Sequence, residues 1–141
     1  MDDTGTRPAA DGLYLQLFEA SPQPMWVVDM ETYAFLDVND AAVRHYGWSR
    51  EEFLAMTTLD VRPPADAPAL IEALQKAGER DAAGVWRHLT KDGTSILVEV
   101  MSHAIDFNGR RARLTVLDDV TDRLTAENAL RRSEQRLNEA Q

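Results

Sequence analysis

The sequence predicts an antiparallel α+β domain, and three observations carry that prediction. Asp92-Gly93 and Asn108-Gly109 bracket a run from Ser95 to Phe107, in which Ile96, Val98 and Val100 alternate with Leu97, Glu99 and Met101. Both dipeptides tolerate the positive φ of a tight reversal, and the alternation has strand period. Two short apolar runs, Met25–Asp29 and Tyr33–Val38, lie near the start, separated from that meander by a helical middle. Strands at both ends of a helical middle imply this fold class.

Taken in order, Met1–Gly12 is rich in Asp, Thr, Gly, Pro and Ala and reads as a mobile tail. Leu13–Ala20 reads as a short helix with Leu13, Leu17 and Phe18 as its apolar positions, stopped by Ser21-Pro22-Gln23-Pro24. Met25–Asp29 and Tyr33–Val38 form a first hairpin. Asn39 is a preferred N-cap for a helix over Asp40–Tyr46, and Gly47 suits the left-handed position past its end. Ser49 and Glu52 make a capping box, with Trp48 and Phe53 placed as a hydrophobic staple, so a helix over Arg50–Met56 follows. Thr57–Arg62 is irregular with a turn around Leu59. Pro63-Pro64 breaks the chain, and Asp66 caps a helix to about Ala77 whose Ala67, Leu70, Ile71, Leu74 and Ala77 share one face. Gly78–Gly84 is the loop into three antiparallel strands that end at Asp119. Thr121 is the expected N-cap of a polar helix, in which Ala126, Leu130, Ser133, Leu137 and Ala140 form a weak heptad seam.

Composition narrows the function. The 141 residues are 44% hydrophobic, which allows one domain with a real core. Cysteine is absent, which excludes disulfides, thiolate zinc sites, cysteine nucleophiles and cysteinyl–flavin chemistry. A net charge of −9 argues against a nucleic-acid surface. No apolar run approaches the ~20 residues of a membrane helix. The segment reads as soluble and cytoplasmic, without membrane contact.

Five motifs in order resemble a PAS sensor domain over about Leu13 to Asp122: Asp29 closing the first strand, Asn39-Asp40-Ala41-Ala42, Tyr46-Gly47-Trp48-Ser49-Arg50-Glu51-Glu52-Phe53, Lys91-Asp92-Gly93-Thr94, and Asp119-Val120-Thr121. The resemblance implies a five-stranded antiparallel sheet of order 2-1-5-4-3 with the central helices on one face. It implies a ligand pocket between helices and sheet, for which Val28, Leu59, Leu70, Leu74, Arg87, Leu89, Val98 and Val100 are the candidate lining. It makes Asp119, Val120 and Thr121 the signal-transmitting junction. Arg131–Leu137 resemble the linker that precedes another PAS or an output domain, so residues 123–141 are expected to be a helical, coiled-coil-like linker to a further sensor domain or to an output domain of histidine kinase or cyclic-di-GMP enzyme type. Leu13, Leu17, Phe18, Ala126, Leu130 and Leu137 are the candidate homodimer contacts.

No cofactor is assigned. Haem-binding members carry their axial His on the long central helix, where this chain has none, and His45, His88 and His103 all read as partly exposed. Arg87 depends on register. A two-residue turn at Asp92-Gly93 pairs Leu89 with Ile96 and Arg87 with Val98, aiming Arg87 at the pocket, where its guanidinium either reaches the rim and solvent, the preferred reading, or holds a carboxylate or phosphate; a one-residue slip reverses the face. That register leaves Trp86, His88, Leu97, Met101 and His103 on the outer face, to be covered by the first helix or a second subunit. A tight Asn108-Gly109 turn puts Ala112, Leu114 and Val116 there too, and a longer loop swaps them. Three readings compete: a ligand-binding sensor, a structural dimerisation module with a filled core, and a small enzyme. The last lacks a nucleophile–base pair or a metal cluster at recognisable spacing.

Overall fold

Asn108 and Gly109 adopt φ of 52° and 83°, and their two-residue turn aligns Phe107 with Arg110 and Ile105 with Ala112. The tight alternative therefore holds. The computed structural model describes residues 12–139. Residues 1–11 of the expected tail, and Ala140, lie outside that range. The elements are α1 (Gly12–Ala20), β1 (Met25–Asp29), β2 (Phe35–Val38), α2 (Asp40–Tyr46), α3 (Arg50–Leu54), 3-10 turns at Thr58–Val61 and Pro64–Asp66, α4 (Ala67–Ala77), β3 (Ala82–Leu89), β4 (Ser95–Phe107), β5 (Arg110–Asp119) and α5 (Thr121–Glu139). The strands form one sheet, β2-β1-β5-β4-β3, with every pair antiparallel. This is the expected order.

β1 sits second in the sheet and is covered on both sides, which is why its apolar run does not alternate with polar residues. Trp26 and Val28 face α2 and α3, in a core with Phe35, Tyr46, Phe53, Val98 and Leu117. Val27 faces the other way and packs with Phe18, Phe107 and Ala112 beneath α1. Phe18 is 1% exposed, so it is committed to its own sheet and not to a dimer contact, whereas Leu13 and Leu17 are both 65% exposed. The reason is geometric. Tyr14 and Phe18 stack at 5.2 Å on the buried stripe of α1, and Leu13 and Leu17 sit one position off it. α1 thus covers the outer face over β1 and β5, while Val85 and Met101 on β3 and β4 remain half exposed.

The register of β3 and β4 differs from the two-residue-turn expectation. Leu89 pairs with Ser95, His88 with Ile96, Arg87 with Leu97 and Trp86 with Val98. The turn is longer because Thr90 donates its N–H to the Thr94 carbonyl, Gly93 donates to the Thr90 carbonyl, and Asp92 accepts from the Thr94 N–H. Lys91 spends its own N–H on the carbonyl of Tyr46, at 2.9 Å. That one-residue slip turns His88 and Trp86 inward and Arg87 outward.

Smaller departures have local causes. Tyr33 adopts φ 65°, so β2 starts at Phe35 and not Tyr33. The Met56 carbonyl accepts from Phe35, which ends α3 at Leu54. Asp66 stands at the N-cap of α4 but makes no side-chain cap bond; its carboxylate lies 3.8 Å from Arg87.

Asn39 joins three segments. Its Oδ1 accepts from the N–H groups of Ala42 and Met25, both at 2.9 Å, while Nδ2 donates to the carbonyls of Phe18 and Gln23. Loss of the cap costs about 0.5–2 kcal/mol, and each buried group left unpaired about 1–3 kcal/mol more. Asn39→Ala is therefore expected to lower urea-measured stability by about 3 kcal/mol; a loss under about 1 kcal/mol contradicts this role.

Candidate functional site

Between α4 and the inner face of the sheet lies a cavity of about 90 Å³. Leu70, Ala73 and Leu74 of α4 form one wall. Trp26 and Val28 of β1, Ala82, Gly84 and Trp86 of β3, Val100 and Ser102 of β4, and Arg113 and Thr115 of β5 form the other, with Thr58 and Arg62 closing one end. Its lining includes the small residues Ala73 of α4 and Ala82 and Gly84 of β3, which leave volume that larger side chains would fill.

Of the eight candidate lining residues, Val28, Leu70, Leu74 and Val100 line this cavity. Val98 is buried in the adjacent aromatic core. Leu59 is half-buried on its 3-10 turn, away from the cavity. Arg87 and Leu89 point away from it, because the longer turn placed them on the outer side of the β3–β4 pair. Arg87 is 56% exposed beside Asp66.

The polar groups on the inner face were not singled out from sequence. Arg113 is 1% exposed. Its Nε donates to the Ser102 hydroxyl at 2.9 Å, Nη1 to the Gly78 carbonyl, and Nη2 to the carbonyls of Arg80 and Ser102. It thereby satisfies carbonyls left over at the end of α4. Burial lowers its pKa, and nearby Asp81 opposes that. Arg62 is 6% exposed and donates from Nε and Nη2 to the carbonyl and hydroxyl of Thr58, while Nη1 has no partner. Its guanidinium lies 5.2 Å from the Trp86 ring centre. Burial brings its pKa down to about 10, so it stays charged at neutral pH. The signal for Arg113 was the tight Asn108-Gly109 turn, which puts Ala112 outward and its neighbour inward.

His88, expected to be partly exposed, is fully buried. Its Nδ1 hydrogen-bonds the Tyr46 hydroxyl at 2.7 Å, its ring stacks on Trp26 at 5.6 Å, and Nε2 is without a partner. Burial, reinforced by the Arg62 charge, pushes the imidazole well below its ordinary range, and burial raises the Tyr46 phenol. The pair is neutral.

At the junction, Thr121 is not a side-chain cap. Its hydroxyl accepts from the Leu97 N–H at 2.8 Å and donates to the Asp119 carboxylate at 2.6 Å. Asp119 also accepts from the Thr121 N–H and contacts His45 Nε2 at 2.7 Å. Burial works against ionisation of Asp119, but the Thr121 bonds and His45 outweigh it and hold the carboxyl below its usual range. Val120 is buried, and its N–H donates to the Leu97 carbonyl. Sheet and helix are thus stitched together through one β4 residue. Beyond that point α5 buries no residue, and Ala126, Leu130 and Leu137 are exposed.

With fold and cavity in view, comparison with known proteins is direct. Residues 12–120 match the PAS fold family, and the chain belongs to it. A methyl sulfide methyltransferase-associated sensor from Methanosarcina acetivorans is 30% identical over 137 residues, which is 92% of this chain but 14% of that relative. The chain therefore spans about one-seventh of that protein. The PAS domain of a Colwellia psychrerythraea protein superposes with a TM-score of 0.70 at 21% identity, covering 78% of this chain and 96% of that one. A domain of a sensory box sensor histidine kinase/response regulator from Geobacter sulfurreducens gives 0.68 at 25% identity, covering 78% and 94%. Among the described residues, no helix is long and apolar enough to cross a membrane.

The depressed His88 value has a sign. Between its ordinary value, near 6.5, and the lower folded value, the unfolded chain binds a proton that the folded chain does not. Stability therefore falls as pH drops below about 6.5. His88→Gln is expected to flatten the stability–pH slope between about pH 7 and 5.5 relative to wild type in denaturation at stepped pH; an unchanged slope contradicts a buried neutral imidazole.

Proposed function

We propose that the chain is a non-catalytic sensory module, in which a small molecule enters the cavity beneath α4 and its occupancy is passed through α5 to a covalently linked output domain. The cavity is the observation that carries this reading. A purely structural dimerisation module has no use for a void between helix and sheet. Its volume favours a small organic molecule over a tetrapyrrole or a flavin ring. A histidine kinase output is supported by the Geobacter neighbour, which is a domain of such a protein. A cyclic-di-GMP enzyme is the other output that the resemblance implies. We place the module in the cytoplasm, as a homodimer touching through Leu13, Leu17, Ala126, Leu130 and Leu137.

A route for the signal follows the ladder. Trp86 on the cavity wall pairs with Val98, and Val98 pairs with Asp119, so the three form one row across β3, β4 and β5. Asp119 grips Thr121, the first residue of α5. A ligand that shifts this row biases the exit of α5 only by its difference in affinity between the two states; a tenfold difference is worth about 1.4 kcal/mol.

Filling the cavity tests this without a known ligand. Ala73→Leu is expected to change amide hydrogen exchange at residues 121–130, as occupancy does. Exchange identical to wild type there contradicts coupling. Leu130→Asp with Leu137→Asp is expected to shift sedimentation toward the monomer mass; an unchanged mass contradicts the α5 seam.

A further inference from the structure

The cavity walls carry two guanidiniums and no carboxylate, in a chain whose net charge is −9. Such an excess of buried positive charge is unusual, because an ion leaving water needs a partner. Among the described residues no acid lies within ion-pair distance of Arg62 or Arg113, and the hydrogen bonds of both side chains go to carbonyls and hydroxyls. Asp66 and Asp81 act on them only through space. Arg113 has spent four of its five N–H donors on its own chain. Arg62 has spent two, on Thr58, and its buried Nη1 has no partner.

We propose that the sensed molecule is a small organic anion, a carboxylate held by Arg62 within the positive field of Arg113, with its apolar part against Trp26, Trp86 and Leu74. This rests on the sensing reading above and names the ligand class for the same cavity. Size bounds the class. A cavity of about 150 Å³ takes benzene, with its six ring carbons, so one of about 90 Å³ fits a short acid of no more than about six non-hydrogen atoms. Arginine suits the task because its planar fork matches a carboxylate and stays charged when buried. Ser102 and Thr115 add hydroxyls on the sheet side.

The test compares acids with amides of the same shape. Butyrate against butyramide, and propionate against propionamide, are titrated at pH 7 and constant salt while the indole N–H signals of Trp26 and Trp86 are followed by NMR. Each acid is expected to bind at least tenfold more tightly than its amide. Arg62→Gln is expected to erase that preference while leaving amide binding in place, and Ala73→Leu to abolish both. Equal binding of acid and amide overturns the anion inference and leaves the sensing reading standing. No shift with any of the four probes also overturns it; the sensing reading falls with it only when Ala73→Leu leaves α5 exchange unmoved as well. The acid–amide comparison in wild type needs no variant, so it decides the inference even where Arg62→Gln fails to fold.

Discussion

The backbone N–H of Lys91 points at the carbonyl of Tyr46, and this one bond sets which side chains of β3 meet the helices. With Lys91 tied to the end of α2, the reversal after Leu89 cannot close as a two-residue turn. Side chains alternate along a strand, so the slip of one residue exchanges the two faces of β3 completely. Gly47 makes the docking feasible. It takes φ 97° past the end of α2, and a Cβ there would lie 3.3 Å from the Cβ of Lys91. Lys91 Nζ then adds an ion pair to Glu52 on α3 at 3.0 Å, a rim interaction of modest worth. The turn is anchored mainly through its backbone.

From that register the character of the inner face follows. Trp86 and Gly84 line the cavity, and His88 lies under Trp26 against Tyr46. Arg113 arrives on the same face from β5 through the tight Asn108-Gly109 turn. The interior therefore has two regions. The aromatic region around Trp26, Phe35, Tyr46 and Phe53 is close-packed and uncharged. The region beneath α4 is loose and positive. Buried charge without a counter-ion destabilises a fold, and here it stands beside the void, apart from the aromatic core. The two regions share Trp26, whose ring both packs the aromatic core and borders the cavity.

Much of this was legible from residues. Asn39, Gly47 and the Ser49–Glu52 box work locally, and each closes where the sequence places it. β4 and β5 were bounded by their turn dipeptides. What was not legible depended on contacts distant in sequence. Nothing near Arg87 announces that Lys91 will bind Tyr46, more than forty positions earlier. Thr90, Asp92 and Thr94 are the trace that was present, since an Asp between two hydroxyl residues favours a side-chain-closed turn longer than two residues. Thr121 misled in the other direction. It is a good N-cap type, yet the free N–H of Leu97 at the start of β4 takes its hydroxyl. Phe18 was correctly read as apolar but assigned to the wrong partner, because a helix stripe says that a face is covered and not by what.

The account stands or falls on the inward face of β3. Nuclear Overhauser spectroscopy of the folded chain reads that face directly. Cross-peaks from the His88 ring protons to the Trp26 indole and the Tyr46 ring are expected, since the ring centres lie 5.6 and 5.8 Å apart. Cross-peaks from Arg87 or Leu89 side chains to the Trp26 indole, with none from His88, would contradict the register and with it the cavity wall built on Trp86.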